Sequence, residues 1–450
     1  MGNRSFPPAL DEEENAVFGK SSLSRRVTLP VALAATGVLF LGACGGGNDS
    51  GGNSDAAKSG NDTGPITYVQ GKDNSNIVQP AIDKWNAAHP DEKVTLKEQT
   101  DQADQQHDDL VQNFQAKNAD YDIVSVDNIW TSEFAAKGWL VPLEGDYALD
   151  TSALLPATVN AATYNKKVYV GPTSSDGGLL YYRKDLVPTP PTSWDELMAD
   201  CSIAKQNNMD CYAGQYAQYE GLTVNIAEAI NTAGGSVLSE DGKTATLDTP
   251  EAKAGLDRLV KAFQNGDIPK QATTYQEEQG RQSFEDGKLL FLRNWPYVYS
   301  LAKTDGSSTV KDTFGVAALP GNGDGKPGAS SLGGHAAGIS VYSDHKKTAF
   351  EFLKFLESEE IQKDWLTQGS AAPVLSSLYD DPALVQQFPY LPTLKTSIEN
   401  AVPRPVTPFY PAVTKAIQDN AFSALSGSKS TDAALSDMQK SVQNAISGGQ

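Results

Sequence analysis

The pattern that most constrains the fold of this chain is an alternation of short apolar runs with amphipathic stretches, which begins at residue 66. Residues 66–69 form an apolar run typical of a strand, residues 78–89 carry apolar side chains at helical spacing, and residues 94–96 form a second apolar run. A strand, a helix and a strand in this order predict a parallel sheet. Because the alternation continues to about residue 446, we predict an α/β protein with two lobes.

Two of the predicted helices have clear start signals. Ser193 precedes Glu196 by three residues, which is the capping-box arrangement that satisfies free backbone amides at the start of a helix. Thr249 is followed by Pro250, a residue favoured at the first helical position. The sequence therefore predicts helices that begin near residues 194 and 250.

Length and charge limit the classes of function. The 450 residues allow two or three domains, and 36 basic against 56 acidic residues give a net charge of -20. A chain this acidic is a poor candidate for a broad nucleic-acid-binding surface, so we expect no nucleic-acid partner.

Common metal-site and hydrolase motifs are missing from the sequence. Its four histidines, at positions 89, 107, 335 and 345, have no other His or Cys at metal-ligand spacing, so we expect neither a metal nor a cofactor. No G-x-S-x-G or H-E-x-x-H motif is present. Two of the many carboxylates could still face each other across a glycosidic bond, so a surface-anchored glycosidase or lyase remains an alternative function.

The amino-terminal residues are typical of an export signal. Two arginines at positions 25 and 26 precede an apolar run over residues 27–41, which is shorter than the ~20 residues of a membrane-spanning helix. The run ends in the letters LGAC, which resemble the lipobox of bacterial lipoproteins. This resemblance implies that residues 1–44 contain a cleaved signal, that Cys44 is lipidated, and that the mature protein is anchored on the outer face of the bacterial cell membrane. General secretion and twin-arginine export both remain open.

Residues 45–64 follow the lipobox and differ in composition from the rest of the chain. Seven are Gly, and Ser, Asn and Asp supply nine of the other thirteen. Without a large apolar side chain to bury, this segment is predicted to be a flexible tether that holds the folded part near the membrane.

Two cysteines remain in the exported part of the chain. Cys201 and Cys211 are separated by nine residues, and thiols outside the cytoplasm meet oxidising conditions. We predict a disulfide between them that staples a short loop.

From about residue 66 to residue 446, separated blocks resemble the extracellular sugar-binding proteins of ABC importers, known as solute-binding protein family 1. The blocks are GKDN at 71–74, YDIVSVD at 121–127, GGLLYYRKDL at 177–186, TSWDEL at 192–197 and DTPEA at 248–252. Others resemble the trehalose- and maltose-binding lipoproteins of that family: FEDGK at 284–288, FLRNWPY at 291–297, LGG at 332–334 and PRPVTPFY at 403–410.

This resemblance implies a two-lobed fold of the periplasmic-binding-protein type, with discontinuous lobes, a ligand cleft between them and three hinge crossings. We place the crossings near Ser175, Gly338 and Pro373. One lobe would comprise residues 65–174 and 338–372, and the other residues 175–337 and 373–446. Two positions depart from the family pattern at the ligand cleft: His335 follows Gly334 where some relatives have an aromatic residue, and Ser174 stands where others have a bulkier cleft residue.

A sugar presents hydroxyls at its edge and C–H groups on its face, so its site needs planar polar groups and aromatic plates. The residues expected to meet these needs, by chemistry and by the resemblance, are Asp73, Asn74, Asp127, Trp130, Asn160, Asp176, Glu277, Trp295, Tyr297, Gly333, Gly334 and Arg404. Trp295 is the preferred stacking plate, and Arg404, held between two prolines, would grip adjacent hydroxyls.

Each of these residues also has a plain structural interpretation. Asp127 could be a helix cap and Asp176 a turn residue. Trp295 could belong to the core, Arg404 could be a solvated surface residue, and Glu277 could lie on a solvated helix face. The paired glycines could only make a tight turn.

The resemblance implies a binding protein and not an enzyme. We expect a monomer that captures an α-linked glucose disaccharide, trehalose or maltose, and delivers it to the permease subunits of an ABC importer. A binder of another oligosaccharide or of a non-sugar solute is a further alternative.

Overall fold

A computed structural model describes residues 62–448 of the chain. The strands of this part are β1 (Ile66–Gln70), β2 (Val94–Glu98), β3 (Ile123–Asp127), β4 (Thr163–Tyr164), β5 (Lys167–Val168), β6 (Val170–Pro172), β7 (Leu179–Arg183), β8 (Asp210–Ala213), β9 (Leu289–Asn294), β10 (Phe314–Ala317) and β11 (His335–Ile339).

The α-helices alternate with these strands, as the sequence predicts. They are α1 (Val78–Ala88), α2 (Ala103–Gln115), α3 (Thr131–Ala136), α4 (Pro156–Ala161), α5 (Trp194–Gln206), α6 (Glu220–Thr232), α7 (Pro250–Asn265), α8 (Glu277–Glu285), α9 (Val298–Thr304), α10 (Lys346–Leu356), α11 (Glu359–Gly369), α12 (Pro382–Gln387), α13 (Leu391–Glu399), α14 (Tyr410–Leu425) and α15 (Thr431–Ile446). The predicted α/β class is confirmed.

The first sheet has five strands in the order β2-β1-β3-β11-β6. Strand β1 pairs in parallel with both β2 and β3, which confirms the predicted parallel pair, whereas β11 runs antiparallel to β3 and β6. Its apolar side chains feed two buried clusters, one that includes Trp85 and Phe352 and one that includes Phe114 and Phe134. Burial on both faces explains the almost uninterrupted apolar run of β3.

The second sheet has four strands in the order β10-β7-β9-β8. All six residues of β9 are buried, and the sheet shares one large apolar cluster with α6, α7, α14 and α15. The two sheets therefore have separate cores, as two lobes require.

The chain passes between the sheets three times. It leaves the first sheet after β6 and enters the second at β7, with Ser175 between them, and it returns between β10 and β11. Gly338 lies inside β11, paired with Val124 and Val170, so the second crossing precedes His335 and is not at Gly338 as predicted. After α11 the chain moves from the cluster of Trp365 to that of Leu378, past Pro373.

The predicted capping box and disulfide are both present in the half of the molecule built on the second sheet, called here the second-sheet half; the half built on the first sheet is the first-sheet half. Ser193 Oγ accepts a hydrogen bond from Glu196 N at 3.3 Å, and the Glu196 carboxylate accepts from the backbone of residue 193, so the capping box is present. Cys201 on α5 and Cys211 on β8 form the predicted disulfide, with 5.0 Å between their Cα atoms.

The signal peptide, Cys44 and most of the predicted tether lie outside the described residues. Its last three residues, 62–64, are described and are hydrogen-bonded to the folded part, contrary to the prediction. Asp62 accepts from Tyr147 Oη at 2.5 Å and from Lys346 N at 3.1 Å, while Gly64 N donates to Thr348 Oγ1. Within residues 62–448, none of the helices has the length and apolarity that a membrane crossing demands.

Candidate functional site

A cavity of about 320 Å³ lies where the two halves meet. The first-sheet half contributes residues that follow β1 and β3, and the second-sheet half contributes residues from α6, the start of α8 and the end of β9. Its polar and aromatic lining includes Tyr68, Lys72, Asp73, Asn74, Ser125, Asp127, Ser174, Asp176, Tyr219, Glu220, Gln276, Glu277, Glu278, Trp295, Tyr297, His335 and Arg404.

Most of the residues predicted to bind a ligand line this cavity, although they come from seven separate stretches of sequence. The ten that do so are Asp73, Asn74, Asp127, Asp176, Glu277, Trp295, Tyr297, Gly333, Gly334 and Arg404. Trp130 and Asn160 are absent from the lining.

The predictions for Trp130 and Asn160 are wrong for different reasons. A short helical turn after Asp127 carries Trp130 into the first-sheet core, where it is 4% exposed and packs against His107 and Phe134. Asn160 lies on the exposed surface of α4.

Trp295 is a partly buried indole in the wall of the cavity. The Arg293 guanidinium lies 3.9 Å from the centre of its ring, a cation–π contact. Arg293 is itself 1% exposed and donates to Glu228 through Nε at 2.9 Å and Nη2 at 2.5 Å, and to Gln215 Oε1 at 3.0 Å. This buried support fixes the plane of the indole beside the cavity, as a stacking plate requires.

The glycine pair contacts both the indole and the first crossing. A Cβ atom on Gly333 would lie 2.9 Å from Trp295 Cζ3, and one on Gly334 would lie 2.3 Å from the carbonyl oxygen of Ser174. Gly334 also has φ +106, which favours glycine. A side chain at Gly333 would displace the indole of Trp295, and one at Gly334 would displace the backbone of the first crossing at Ser174.

Asp176 follows the first crossing and faces the cavity without a hydrogen-bond partner for its carboxylate among the described side chains and backbone groups. Burial, aided by the negative charge of Asp127, raises the pKa of Asp176 to about 7. A ligand hydroxyl or cation would therefore find a carboxylate whose bonding capacity is unused.

Arg404 links the two halves of the site. Its guanidinium is bonded to protein carboxylates, whereas the predicted contact with sugar hydroxyls would require unpaired donors. Its Nη2 donates to Asp127 Oδ1 at 2.8 Å and its Nη1 donates to Glu220 Oε1 at 2.7 Å. Burial opposes its charge, but the carboxylates of Asp127 and Glu220 raise the pKa of the guanidinium above its ordinary value. Its Nε is buried without a partner in the described part of the chain.

Asp127 is a helix cap and also lines the cavity. Its Oδ1 accepts from Ile129 N at 3.3 Å as a helix cap, and the same carboxylate lines the cavity and pairs with Arg404. Asp73 is also a cap, since it accepts from Ser75 N and from Val78 N, the first residue of α1.

The acids at the start of α8 are held by tyrosine hydroxyls. Tyr219 Oη donates to Glu277 Oε2 at 2.7 Å, and Tyr297 Oη donates to Glu278 Oε1 at 2.6 Å. Burial raises the pKa of Glu277 above its ordinary value. Glu277 is thus a cavity residue and does not lie on a solvated helix face.

Sequence reasoning missed several lining residues, above all Glu220 and His335. Glu220 had no local signal, because its partner Arg404 is 184 residues away. His335 differs from the aromatic residue that some relatives have at this position, and its carbonyl accepts hydrogen bonds from Thr173 N, Ser174 N and Thr173 Oγ1.

The acids of the described residues do not form a metal centre. No group of three or more His, Cys, Asp or Glu side chains in residues 62–448 is arranged to hold a metal ion.

Two sheets with separate cores, joined by three crossings around a polar and aromatic cavity, define a two-lobed ligand-binding protein. A family model described as bacterial extracellular solute-binding protein matches residues 69–363, which is more than half of the chain. The chain belongs to this family.

Individual proteins similar to this chain are also described as binding proteins. A probable ABC transporter-binding protein of Deinococcus radiodurans is 33% identical over 309 residues, which cover 66% of this chain and 72% of the relative. A putative binding protein of Brucella abortus is 27% identical, and the match covers 55% of this chain and 59% of the relative.

Solved structures confirm the two-lobed fold. Maltose-bound T. maritima MalE3 is 32% identical with a TM-score of 0.80, and the match covers 84% of this chain and 99% of that chain. A solute-binding protein of Thermotoga lettingae bound with α-D-tagatose is 24% identical with a TM-score of 0.77, and the match covers 85% of this chain and 100% of that chain. The second likeness bears on the fold alone.

Family membership makes the chain a solute-binding protein rather than an enzyme. An extracellular family also agrees with the predicted export of the chain.

Proposed function

We propose that this chain is the substrate-binding protein of an ABC sugar importer, which captures an α-glucoside disaccharide, trehalose or maltose, and delivers it unaltered to the permease. The protein would act as a monomer anchored to the outer face of the cell membrane through lipid on Cys44. The maltose-bound relative at 32% identity supports a sugar of this class.

The observation that carries the proposal is the indole of Trp295 in the cavity wall, backed by Arg293 and flanked by Asp176. An aromatic face beside a carboxylate with unused bonding capacity matches the C–H face and hydroxyl edge of a sugar. The cavity volume of about 320 Å³ is within the range of small-molecule sites.

Capture would work through the relative position of the lobes. Asp127 and Asp73 come from the first-sheet half, while Trp295 and Glu277 come from the second. Only when the halves approach each other can one sugar contact both groups, so the sugar would stabilise the closed arrangement. The permease would then recognise that arrangement.

Calorimetric titration of the mature protein against trehalose, maltose, monosaccharides, longer glucans and polyols tests the proposal. We expect saturable heat with an α-glucoside disaccharide and weaker or no heat with polyols. No heat with any sugar at millimolar concentration would contradict it. Sugar recovered intact after overnight incubation separates binding from the alternative of a glycosidase or lyase.

The lipid anchor needs its own test because Cys44 lies outside the described residues. Cells fed a labelled fatty acid should label the wild-type protein and leave Cys44→Ala unlabelled and uncleaved. Equal labelling of both proteins would contradict the anchor.

A further inference from the structure

Glu220 is a buried carboxylate in the cavity wall that the sequence did not single out. It begins α6, is 3% exposed, and accepts three side-chain hydrogen bonds. Arg404 Nη1 and Tyr410 Oη donate to its Oε1 at 2.7 and 2.5 Å, and Thr414 Oγ1 donates to its Oε2 at 2.6 Å. Burial raises the pKa of Glu220 to about 7, while the charge of Arg404 and the hydroxyls of Thr414 and Tyr410 favour the carboxylate, as does its place at a helix N-terminus.

The ion pairs of Arg404 connect the two halves of the molecule. The segment that carries Arg404 belongs to the second-sheet side, because Val402 exchanges backbone hydrogen bonds with Ser330 and Leu332. Glu220 is on the same side, whereas Asp127 ends β3 of the first sheet. The pair between Arg404 and Asp127 therefore spans the cleft, and the pair between Arg404 and Glu220 does not.

A guanidinium is a planar fork, so the direction of one nitrogen fixes the directions of the others. With Nη1 held by Glu220, Nη2 reaches Asp127 and the unpartnered Nε stays buried in the cavity lining. Without the charge of Glu220, Asp127 would be the only carboxylate bonded to Arg404, and the charge-assisted bond that holds Nη1 from the second-sheet side would be lost.

We propose that Glu220 is a positioning residue of the cleft, which orients Arg404 toward Asp127 and so couples ligand binding to closure of the lobes. The role in ligand binding rests on the proposed function, whereas the contact of Arg404 with Asp127 across the cleft is observed independently of it. Glu220 acts through Arg404 and needs no direct contact with the sugar.

The test compares Glu220→Gln with wild type by calorimetric titration with maltose and trehalose and by small-angle scattering without sugar. The amide keeps the size of the side chain and removes its charge. We expect affinity to fall by about tenfold or more, as for loss of a hydrogen bond to a charged group, and the sugar-free protein to have a larger radius of gyration. Glu220→Asp, which keeps the charge, should recover part of the affinity.

Glu285→Gln is the matched control. Glu285 is also a buried, ion-paired acid, bonded to Arg281 Nη1 at 2.6 Å, and it does not line the cavity. Its replacement should lower thermal stability without weakening sugar affinity. Equal loss of affinity in this control would overturn the positioning role, as would Glu220→Gln with wild-type affinity and radius of gyration.

The two proposals can fail separately. If wild type binds no sugar, the proposed function fails, and the radii of gyration of sugar-free wild type and Glu220→Gln still decide whether Glu220 holds the lobes together. If Glu220→Gln does not fold, Glu220→Asp decides: a shifted affinity or radius supports the role, and unchanged values overturn it.

Discussion

Replacement of Trp295 by alanine tests the proposed stacking plate. The indole contacts the Arg293 guanidinium at 3.9 Å on one side and lines the cavity. A sugar ring that covers about 60 Å² of the indole would gain roughly 1.5 kcal/mol at ~25 cal/mol per Å². Contact with the aromatic face adds about 0.5 to 1.5 kcal/mol. We therefore expect the variant to lose roughly 2 to 3 kcal/mol of binding free energy, or about 30- to 150-fold in Kd.

Thermal stability should change much less than affinity. Because Trp295 borders an open cavity, its removal enlarges existing space and leaves no closed void in the core. The lost cation–π contact with Arg293 is worth about 0.5 to 2 kcal/mol, which lowers the Tm by only a few degrees. Trp295→Phe keeps an aromatic face and should retain part of the affinity.

Trp130 supplies the matched control for this experiment. It is a second tryptophan, three residues after the cavity residue Asp127, but it lies in the first-sheet core at 4% exposure. Trp130→Ala should lose about 3 to 5 kcal/mol of unfolding free energy, with much less effect on the Kd of the folded fraction. Calorimetric titration and thermal unfolding of both variants give the comparison. Wild-type affinity in Trp295→Ala, or a loss of stability as large as that of the control, would refute the stacking role.

Three other predictions concern Arg293, which supports the indole, the carboxylate of Asp176, and the disulfide of Cys201 and Cys211. Arg293→Lys keeps the charge but loses the planar stack on Trp295 and the paired bonds to Glu228, so both Tm and affinity should fall; no change in either would count against the support. The pKa of Asp176, about 7, is raised from its ordinary value, so the folded sugar-free protein retains a proton that the unfolded chain has lost, and this group makes stability fall as pH rises from about 4 to about 7. Sugar hydroxyls that donate to the Asp176 carboxylate favour its ionised form, so sugar affinity should increase from about pH 6 to about pH 8. This pH dependence should weaken in Asp176→Asn. The same dependence of affinity on pH in the variant and in wild type would refute the role of Asp176. Replacing both Cys201 and Cys211 by Ser should lower the free energy of unfolding by about 2 to 3 kcal/mol in urea titrations and leave sugar affinity unchanged, and a changed Kd would show that the staple reaches the site.

Features set by neighbouring residues were predictable from the sequence. The capping box of Ser193 and Glu196 and the disulfide of Cys201 and Cys211 each depend on short sequence spacing, and the structure contains both. The parallel pairing of β1 and β2 followed from strand, helix and strand in order. These signals are local, so tertiary packing could not easily reverse them.

The cavity wall was only partly predictable because position relative to a strand end does not fix which way a side chain points. Trp295 comes directly after β9 and reaches the cavity, whereas Trp130 lies three residues beyond the end of β3 and is rotated into the core by a helical turn. Glu220 joins Arg404 across 184 residues of sequence, and a single sequence gives no sign of such a contact. Residues 62–64 looked like tether by composition, yet Asp62 has partners on α10 that composition does not reveal.

A crystal structure of the protein grown with maltose or trehalose would show whether the sugar stacks on Trp295. We expect a sugar ring against the indole, on the face away from Arg293, with hydroxyls within hydrogen-bond distance of Asp176 and Asp127. A saturated crystal in which the indole touches no ligand, or in which the sugar lies outside the cavity between the two sheets, would contradict it.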